Sequence, residues 1–329
     1  VKISYARYSR PLKAPFRYGE KSLMAREGLV LRLDSPGGVL YSEASPLPGS
    51  SREELGQIEK LLEIASALAL YEAVLDGAPV AGDLPPALRF ALEGFASQGS
   101  PTLSKVESNA LVPWAGAEKT LADIQAKKAA GFRTMKLKLF DESIEEQLEL
   151  MAAASGVHFR LDGNRALSEE AVTRLFAGLE KIGPARVEYI EEPLSHWRNP
   201  LLTRSPVALA ADECAADPRF WKAILPSPAS VFVLKPTVAG GLFSLAEKAK
   251  TLEEAGKKVV YTSTFEAEPG RRALISFLLS LKSKNMAGVS TGFLFSESFL
   301  ADQPVWEKKP ALSPAESDWL ENLPWREGP

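Results

Sequence analysis

Thr134-Met135-Lys136-Leu137-Lys138-Leu139 is followed along the chain by Arg160-Leu161-Asp162-Gly163-Asn164, Tyr189-Ile190-Glu191-Glu192-Pro193, Ala210-Ala211-Asp212-Glu213 and Val231-Phe232-Val233-Leu234-Lys235-Pro236. Each is a short apolar run rich in β-formers that closes on charged side chains, and a helical stretch follows each. Beyond Ser104 such runs end near residues 113, 138, 162, 191, 212, 235, 263 and 291, at intervals of 21 to 29 residues. An interval of that length accommodates a strand, a loop and an amphipathic helix. Eight units in about 190 residues predict a parallel (β/α) barrel of the α/β class. The alternative is an open doubly wound sheet, against which stands the absence of a glycine-rich phosphate fingerprint between an early strand and helix.

Upstream the rhythm differs. Val1 to Tyr8 and Gly28 to Asp34 alternate apolar and polar residues, and Gly37-Gly38 precedes Val39-Leu40-Tyr41, the pattern of an antiparallel meander. From Ser51 to Phe95 the pattern is helical, with Ser51 and Glu54 at capping-box spacing before an Ala/Leu-rich run from Leu61 to Leu75. Residues 1–100 therefore read as a small α+β domain, residues 104–299 as the barrel. The tail, residues 300–329, holds Trp306, Trp319 and Trp325 and is expected to pack back on the small domain.

The 329 residues carry 39 Lys and Arg against 42 Asp and Glu, a formal charge of -3, without a basic block that would favour nucleic acid. The single cysteine, Cys214, rules out an intramolecular disulfide and a cysteine-based zinc cluster. The N-terminus lacks the apolar core of a signal peptide and no stretch approaches the ~18–20 apolar residues of a membrane span, so a cytoplasmic protein is expected.

Barrel active sites lie at the carboxyl ends of the strands. Alternation puts Lys136 and Lys138 on one face of their strand and Met135, Leu137 and Leu139 on the other, against the helices. An edge strand guarded by lysines is the plainer reading of that pair. However, the next three strands each deliver a carboxylate at the same depth: Asp162, Glu191 and Asp212. Crowded carboxylates repel unless a cation offsets them, and their oxygens suit a hard ion such as Mg²⁺. Ala208 and Ala210 leave room beside Asp212, and Lys235 faces inward from the sixth strand, opposite the second.

The ordered set Lys-x-Lys at 136–138, Arg-x-Asp-x-Asn at 160–164, Glu-Glu-Pro at 191, Ala-Asp-Glu at 211 and Leu-Lys-Pro at 234 resembles the successive barrel motifs of the enolase superfamily, muconate-lactonising subgroup. Arg26-Glu27-Gly28 and Ser42-Glu43-Ala44-Ser45-Pro46-Leu47-Pro48-Gly49 resemble that family's capping domain. The resemblance implies a TIM-like barrel of (β/α)7β type with an α+β N-terminal capping domain completed by the tail. It implies a metal-dependent enzyme acting on a small-molecule carboxylate, with Mg²⁺, or Mn²⁺ as substitute, on Asp162, Glu191 and Asp212. Lys138 and Lys235 would be the acid/base pair, with Lys136, Arg160, Asn164 and Glu213 in support. Ser263, Thr264, Glu266 and Gly49 are candidate substrate contacts, and loops at 15–22 and 46–51 would close over the substrate.

Pro46-Leu47-Pro48-Gly49 and Arg160-Leu161-Asp162-Gly163-Asn164-Arg165 resemble the o-succinylbenzoate synthase family in particular, which implies a dehydratase, a carbon–oxygen lyase of menaquinone biosynthesis. The stretch Val289-Ser290-Thr291-Gly292 lacks the Asp-x-Asp pair with which dipeptide epimerases of the family hold a substrate amine. An N-acylamino acid racemase, a muconate-type cycloisomerase and a noncatalytic carboxylate-binding barrel are the alternatives; oligomeric state is left open. A free lysine near pKa 10.4 lies about 3.4 units above neutrality, a deficit of roughly 4.6 kcal/mol in neutral base, which a metal, Lys136 and Lys235 beside Lys138 would reduce. Of the remaining polar residues, His158 opens its strand at the wrong end for chemistry, Cys214 reads as a small buried residue, and Glu192 faces away from the site as an outer partner. Glu266 is equally a pocket residue or a loop carboxylate.

Overall fold

A computed structural model describes residues 1–18, 21–77, 84–216, 224–281 and 285–328. The chain opens with three antiparallel strands, β1 (Lys2–Tyr18), β2 (Lys21–Ser35) and β3 (Gly38–Ala44), longer than the sequence pattern predicted. The stretch expected as the first closing loop is instead a strand hairpin in which Phe16 pairs with Leu23; Gly19 and Glu20 lie outside the described residues. One face of the sheet, with Ile3, Tyr5, Leu29, Leu31 and Leu33, packs on three helices, α1 (Leu55–Ile64), α2 (Ala67–Leu75) and α3 (Pro86–Gly99). The other face, with Tyr8 and Val30, packs with Phe295, Leu320 and Trp319. Period-two alternation thus serves two different interfaces.

The helix start departs from the Ser51 capping box. Glu54 is the N-cap of α1 and its amide donates to the Gln57 side chain at 2.8 Å, while Ser51 Oγ accepts from the Leu47 amide at 2.8 Å and closes the proline-flanked turn. Ser51 is drawn into that turn, so the cap moves on to Glu54. The Leu61–Leu75 run divides at Ala65, because Ser66 caps a new helix with its side chain.

Eight parallel strands follow: β4 (Val106–Val112), β5 (Thr134–Lys138), β6 (His158–Asp162), β7 (Val187–Glu191), β8 (Leu209–Ala211), β9 (Ala229–Leu234), β10 (Lys258–Tyr261) and β11 (Ala287–Ser290). β11 pairs with β4, and a parallel bridge between Thr262 and Gly288 joins β10 to β11, so the sheet closes into a barrel. The interior is filled by Tyr189, Ala210, Val231, Val233 and Val260; Met135, Leu137 and Leu139 pack outward with Ile124, Ile144 and Leu161. A helix does not follow every strand. Between β7 and β8 there is only a 3-10 turn, Pro200–Arg204, in a connection broken by Pro193 and Pro200. After β11 a 3-10 turn, Gly292–Leu294, leads into the tail, as in a (β/α)7β barrel.

The tail divides its contacts. Trp306 pairs antiparallel with Val106 at the start of β4 and is buried among barrel side chains, whereas Trp319 and Trp325 meet Tyr8 and Tyr41 of the N-terminal sheet. The last strand, Arg326–Glu327, adds to the edge of β1. Cap and barrel also meet where α3 crosses the helix Glu268–Ser280: a Cβ at Gly94 would lie 3.0 Å from the Ala273 Cβ, so the missing side chain permits the approach. No described helix is long and apolar enough to cross a membrane.

Candidate active site

The parallel register sets the depth of the charged residues. Lys138 is level with Asp162, Asp162 with Glu191, and Glu191 with Ala210, two residues before Asp212. All three carboxylates are buried, and one oxygen from each lies within 4.8 Å of the others. Lys136 Nζ stands 2.8 Å from Asp162 and 2.6 Å from Glu191, and Lys235 Nζ 2.6 Å from Asp212. Two ammonium groups therefore face three carboxylates, and Asp212 Oδ1 is buried without a hydrogen-bond partner. An orphaned carboxylate oxygen beside two others is the donor set of a hard divalent cation, and the spacing is within reach of one ion after a small contraction.

The carboxylates hold Lys136 charged. Burial by itself lowers the Lys136 ammonium, but the charges of Asp162, Glu191 and Asp212 outweigh it and hold Lys136 well above the ordinary lysine value. A lysine so held remains an ammonium and acts as a fixed positive charge. Glu191 is driven well above the usual carboxylate range by burial, against the pull of Lys136 and with the repulsion of Asp162 and Asp212 added. Asp162 is raised by burial yet ends below its ordinary value because Lys136 and Lys235 stabilise its charge. Lys138, paired in register with Asp162, has its Nζ 5.6 Å from the centre of the Phe140 ring.

The backbone around the carboxylates is strained. Asn164, Arg165, Glu192 and Phe265 all have left-handed φ, between 29° and 64°, and all lie just beyond barrel strands. Hydrogen bonds hold these turns. Asn164 N donates to Asp162 Oδ1 at 3.0 Å, and the Glu192 carboxylate accepts from the amides of Asp212 and Cys214 at 2.8 and 2.9 Å and from Arg165. Glu192 is thus an outer partner that fixes the Asp212 turn. Asn164 donates through its side chain to Glu213 at 3.1 Å, and the Glu213 carboxyl is pushed up to about 8, by burial first and then by Asp212 and Asp162. Burial also raises the Cys214 thiol, whose sulfur accepts from the Trp197 indole. Gly163 passes close to the next turn: a Cβ there would lie 2.6 Å from the Pro193 Cα.

Beside Asp162 lies a cavity of about 290 Å³, lined by Lys136, Lys138, Asp162, Asn164, Lys235 and Ser263 among others. That is just under the roughly 300–1,000 Å³ typical of ligand sites. Much of the wall is aromatic. Trp114 and Phe140 follow the ends of β4 and β5, while Phe16 of the cap hairpin meets Phe265 edge-on with centroids 4.7 Å apart. On the β11 side the wall is Gly288, Ser290 and Thr291. Trp114 and Phe140 lie two residues beyond the ends of β4 and β5, so the pattern of charges at the strand ends does not mark them.

Other predicted residues are placed differently. Arg160 lies one pair below the trio, buried, and donates to Glu188 and Asn109, both at 2.9 Å, and to the Met286 carbonyl at 3.2 Å. It ties β6 to β4, β7 and the entry to β11. Arg160→Met is expected to lower the unfolding free energy by about 3 kcal/mol in urea titrations, because Glu188 and Asn109 lose their partner. Thr264 and Glu266 are buried and bonded to each other, outside the cavity lining, and Gly49 sits exposed in a turn with φ 93°. His158 is exposed at the start of β6.

With this geometry in place, a family model described as Enolase C-terminal domain-like matches residues 119–315. The chain belongs to the enolase superfamily. It is an enzyme of that superfamily, and the geometry of its buried carboxylate trio could hold a divalent cation. The o-succinylbenzoate synthase of Pectobacterium atrosepticum is 23% identical over 295 residues, covering 88% of this chain and 90% of that protein. The structure of the o-succinylbenzoate synthase of Thermosynechococcus elongatus BP-1, complexed with Mg in the active site, superposes with a TM-score of 0.71 at 22% identity, over 98% of this chain and 100% of that one. The L-Ala-D/L-Glu epimerase of Bacillus subtilis superposes with a TM-score of 0.77 at 19% identity, over 93% and 95% of the two chains. Superfamily relatives of different activity thus share the fold.

Proposed function

We propose that this enzyme is an o-succinylbenzoate synthase, a Mg²⁺-dependent carbon–oxygen lyase that removes water from 2-succinyl-6-hydroxy-2,4-cyclohexadiene-1-carboxylate in menaquinone biosynthesis. Mn²⁺ is the expected substitute metal. The observation that carries the reading is the composition of the cavity: opposed lysines and aromatic walls, with Gly288, Ser290 and Thr291 where a substrate amine would need carboxylates. A dehydratase substrate without an ammonium group suits that wall. The synthases among the curated relatives support the same choice.

Asp162, Glu191 and Asp212 would hold a divalent ion, which would supply positive charge against the substrate carboxylate. Lys138 takes the α-proton. The resulting Lys138 ammonium then gives it to the departing hydroxyl on the same face, so that water leaves and the ring becomes aromatic. Lys136 stays charged between Asp162 and Glu191. Lys235, on the opposite side, remains an ammonium that opposes the developing negative charge and faces the ring. Phe16 and Phe265 exclude water from the cavity.

The direct test is to incubate the protein with the cyclohexadiene and Mg²⁺ and follow o-succinylbenzoate by ultraviolet absorbance. Turnover proportional to enzyme is expected, and its absence with intact Mg²⁺ binding would overturn the assignment. The opposed lysines also favour a second reading, racemisation of N-acylamino acids by two bases, which the same protein separates by solvent exchange.

A further inference from the structure

Glu266 is a buried carboxylate that the reaction above leaves unused. It accepts four hydrogen bonds: from the hydroxyls of Thr237 and Thr264, from Ser263 Oγ at 2.5 Å and from the Thr264 amide at 2.9 Å. The Ser263 and Thr264 donors belong to its own turn and close it locally. Thr237 does not. It lies in the first turn of the short helix Pro236–Ala239, whose N-cap is Lys235, and the Val238 and Ala239 amides donate to the Lys235 carbonyl at 2.9 and 2.8 Å. Fixing the Thr237 side chain therefore fixes the backbone that carries Lys235.

The other end of the link is the cavity wall. Ser263 lines the cavity with Lys235, and its Oγ lies 3.2 Å from Thr291 Oγ1. The Phe265 amide donates to Ser263 Oγ at 3.0 Å, and Arg26 of the cap holds the Phe265 carbonyl at 3.2 Å, so the turn is braced from both sides. Apolar packing would fill this volume without the cost of desolvating a carboxylate, whereas charge-assisted hydrogen bonds fix direction as well as contact. We propose that Glu266 is a positioning residue, which through Thr237 and Ser263 holds Lys235 at a set distance from the Ser263–Thr291 wall. The inference rests on the proposed role of Lys235 toward the substrate.

Thr237→Val keeps the shape and removes only the hydroxyl, and Thr237→Ser returns it. With saturating Mg²⁺, Thr237→Val should lower kcat roughly tenfold or more while KM changes less than about twofold, since the misplaced group acts on the transition state. Thr237→Ser should restore kcat. Glu266→Gln should lower kcat and also raise KM, because both ends of the link are released. A merely structural role would lower the thermal midpoint and leave the kcat of the folded enzyme intact, and that result would overturn the proposal.

Should Glu266→Gln fail to fold, the threonine pair carries the test. If the unsubstituted protein does not dehydrate the cyclohexadiene, the assigned reaction fails at that point, and the threonine variants are read on solvent deuterium exchange into an N-succinylamino acid. The midpoints of Thr237→Val, Glu266→Gln and the double variant test the link without any substrate: non-additive shifts are expected, and additive ones would overturn it. For a Glu266→Gln that does not fold, Glu266→Asp takes its place in that cycle.

Discussion

Removing divalent ions with excess chelator should abolish turnover, and Glu191→Gln should make that loss permanent. Glu191 is the central member of the trio, bonded through one oxygen to Lys136 at 2.6 Å and level with Asp162 on the neighbouring strand. Glutamine keeps the volume and removes one of three negative charges. Changing outer partners of metal ligands typically costs about 10- to 100-fold in affinity; loss of a ligand charge should cost at least about 100-fold, measured by calorimetric Mg²⁺ titration. Ligand-linked stability provides a second readout, since Mg²⁺ at 100 times its Kd adds about 2.7 kcal/mol to the unfolding free energy. The wild-type midpoint should rise on adding Mg²⁺, and that of Glu191→Gln should stay where it is. Full activity in chelator, or an unchanged Mg²⁺ isotherm in the variant, would refute the assignment of the trio.

The trio was legible in the sequence because its information is local. Alternation within Thr134–Lys138 and a charge at each strand end suffice to place Lys138, Asp162 and Glu191 at one depth, and the register confirms the pairing of their strands. The closing network of the cap was not legible, because its partners are remote. Glu43 accepts from the amides of Ala267 and Gly270 at 3.1 and 3.0 Å, more than 200 positions away, so a cap carboxylate sits on the N-terminus of a barrel helix. Arg10 meets the rings of Phe299 and Trp319 and the Glu268 carboxylate in the same way. In each case the sequence shows an ordinary strand residue, and only docking of cap and tail on the barrel decides what it touches.

Competition between equally good local signals explains the other departures. Ser51 and Glu54 both satisfy a helix start, and the backbone chose Glu54 because the Leu47 amide claims the serine hydroxyl. Glu266 was open between a pocket wall and a loop carboxylate; the structure gives its oxygens to three hydroxyls, two in its own turn and one across at Thr237. The aromatic wall has a related cause. Phe16 lies near the end of a hairpin strand and enters the cavity only because the hairpin reaches over the barrel mouth to Phe265.

Lys138→Ala should abolish dehydration, with kcat lower by at least about 1,000-fold, because one group acts as base and then as acid in a syn elimination and neither step retains a substitute. Lys235→Ala should be equally inactive for a different reason, the loss of the charge that opposes the developing anion. Lys235 Nζ is 2.6 Å from Asp212, so Mg²⁺ titration of both variants must show that the metal site persists. Turnover alone then does not separate a dehydratase from a racemase, but isotope exchange does. A racemase with two opposed bases exchanges the α-proton of both enantiomers of an N-succinylamino acid in deuterium oxide, and each single lysine variant keeps exchange with one enantiomer only. A dehydratase without that activity gives exchange with neither. The expected result is dehydration of the cyclohexadiene without such exchange, consistent with a β11 wall of Gly288, Ser290 and Thr291. Rapid racemisation with no conversion of the cyclohexadiene would transfer both lysines to the two-base role while leaving the metal site where it stands.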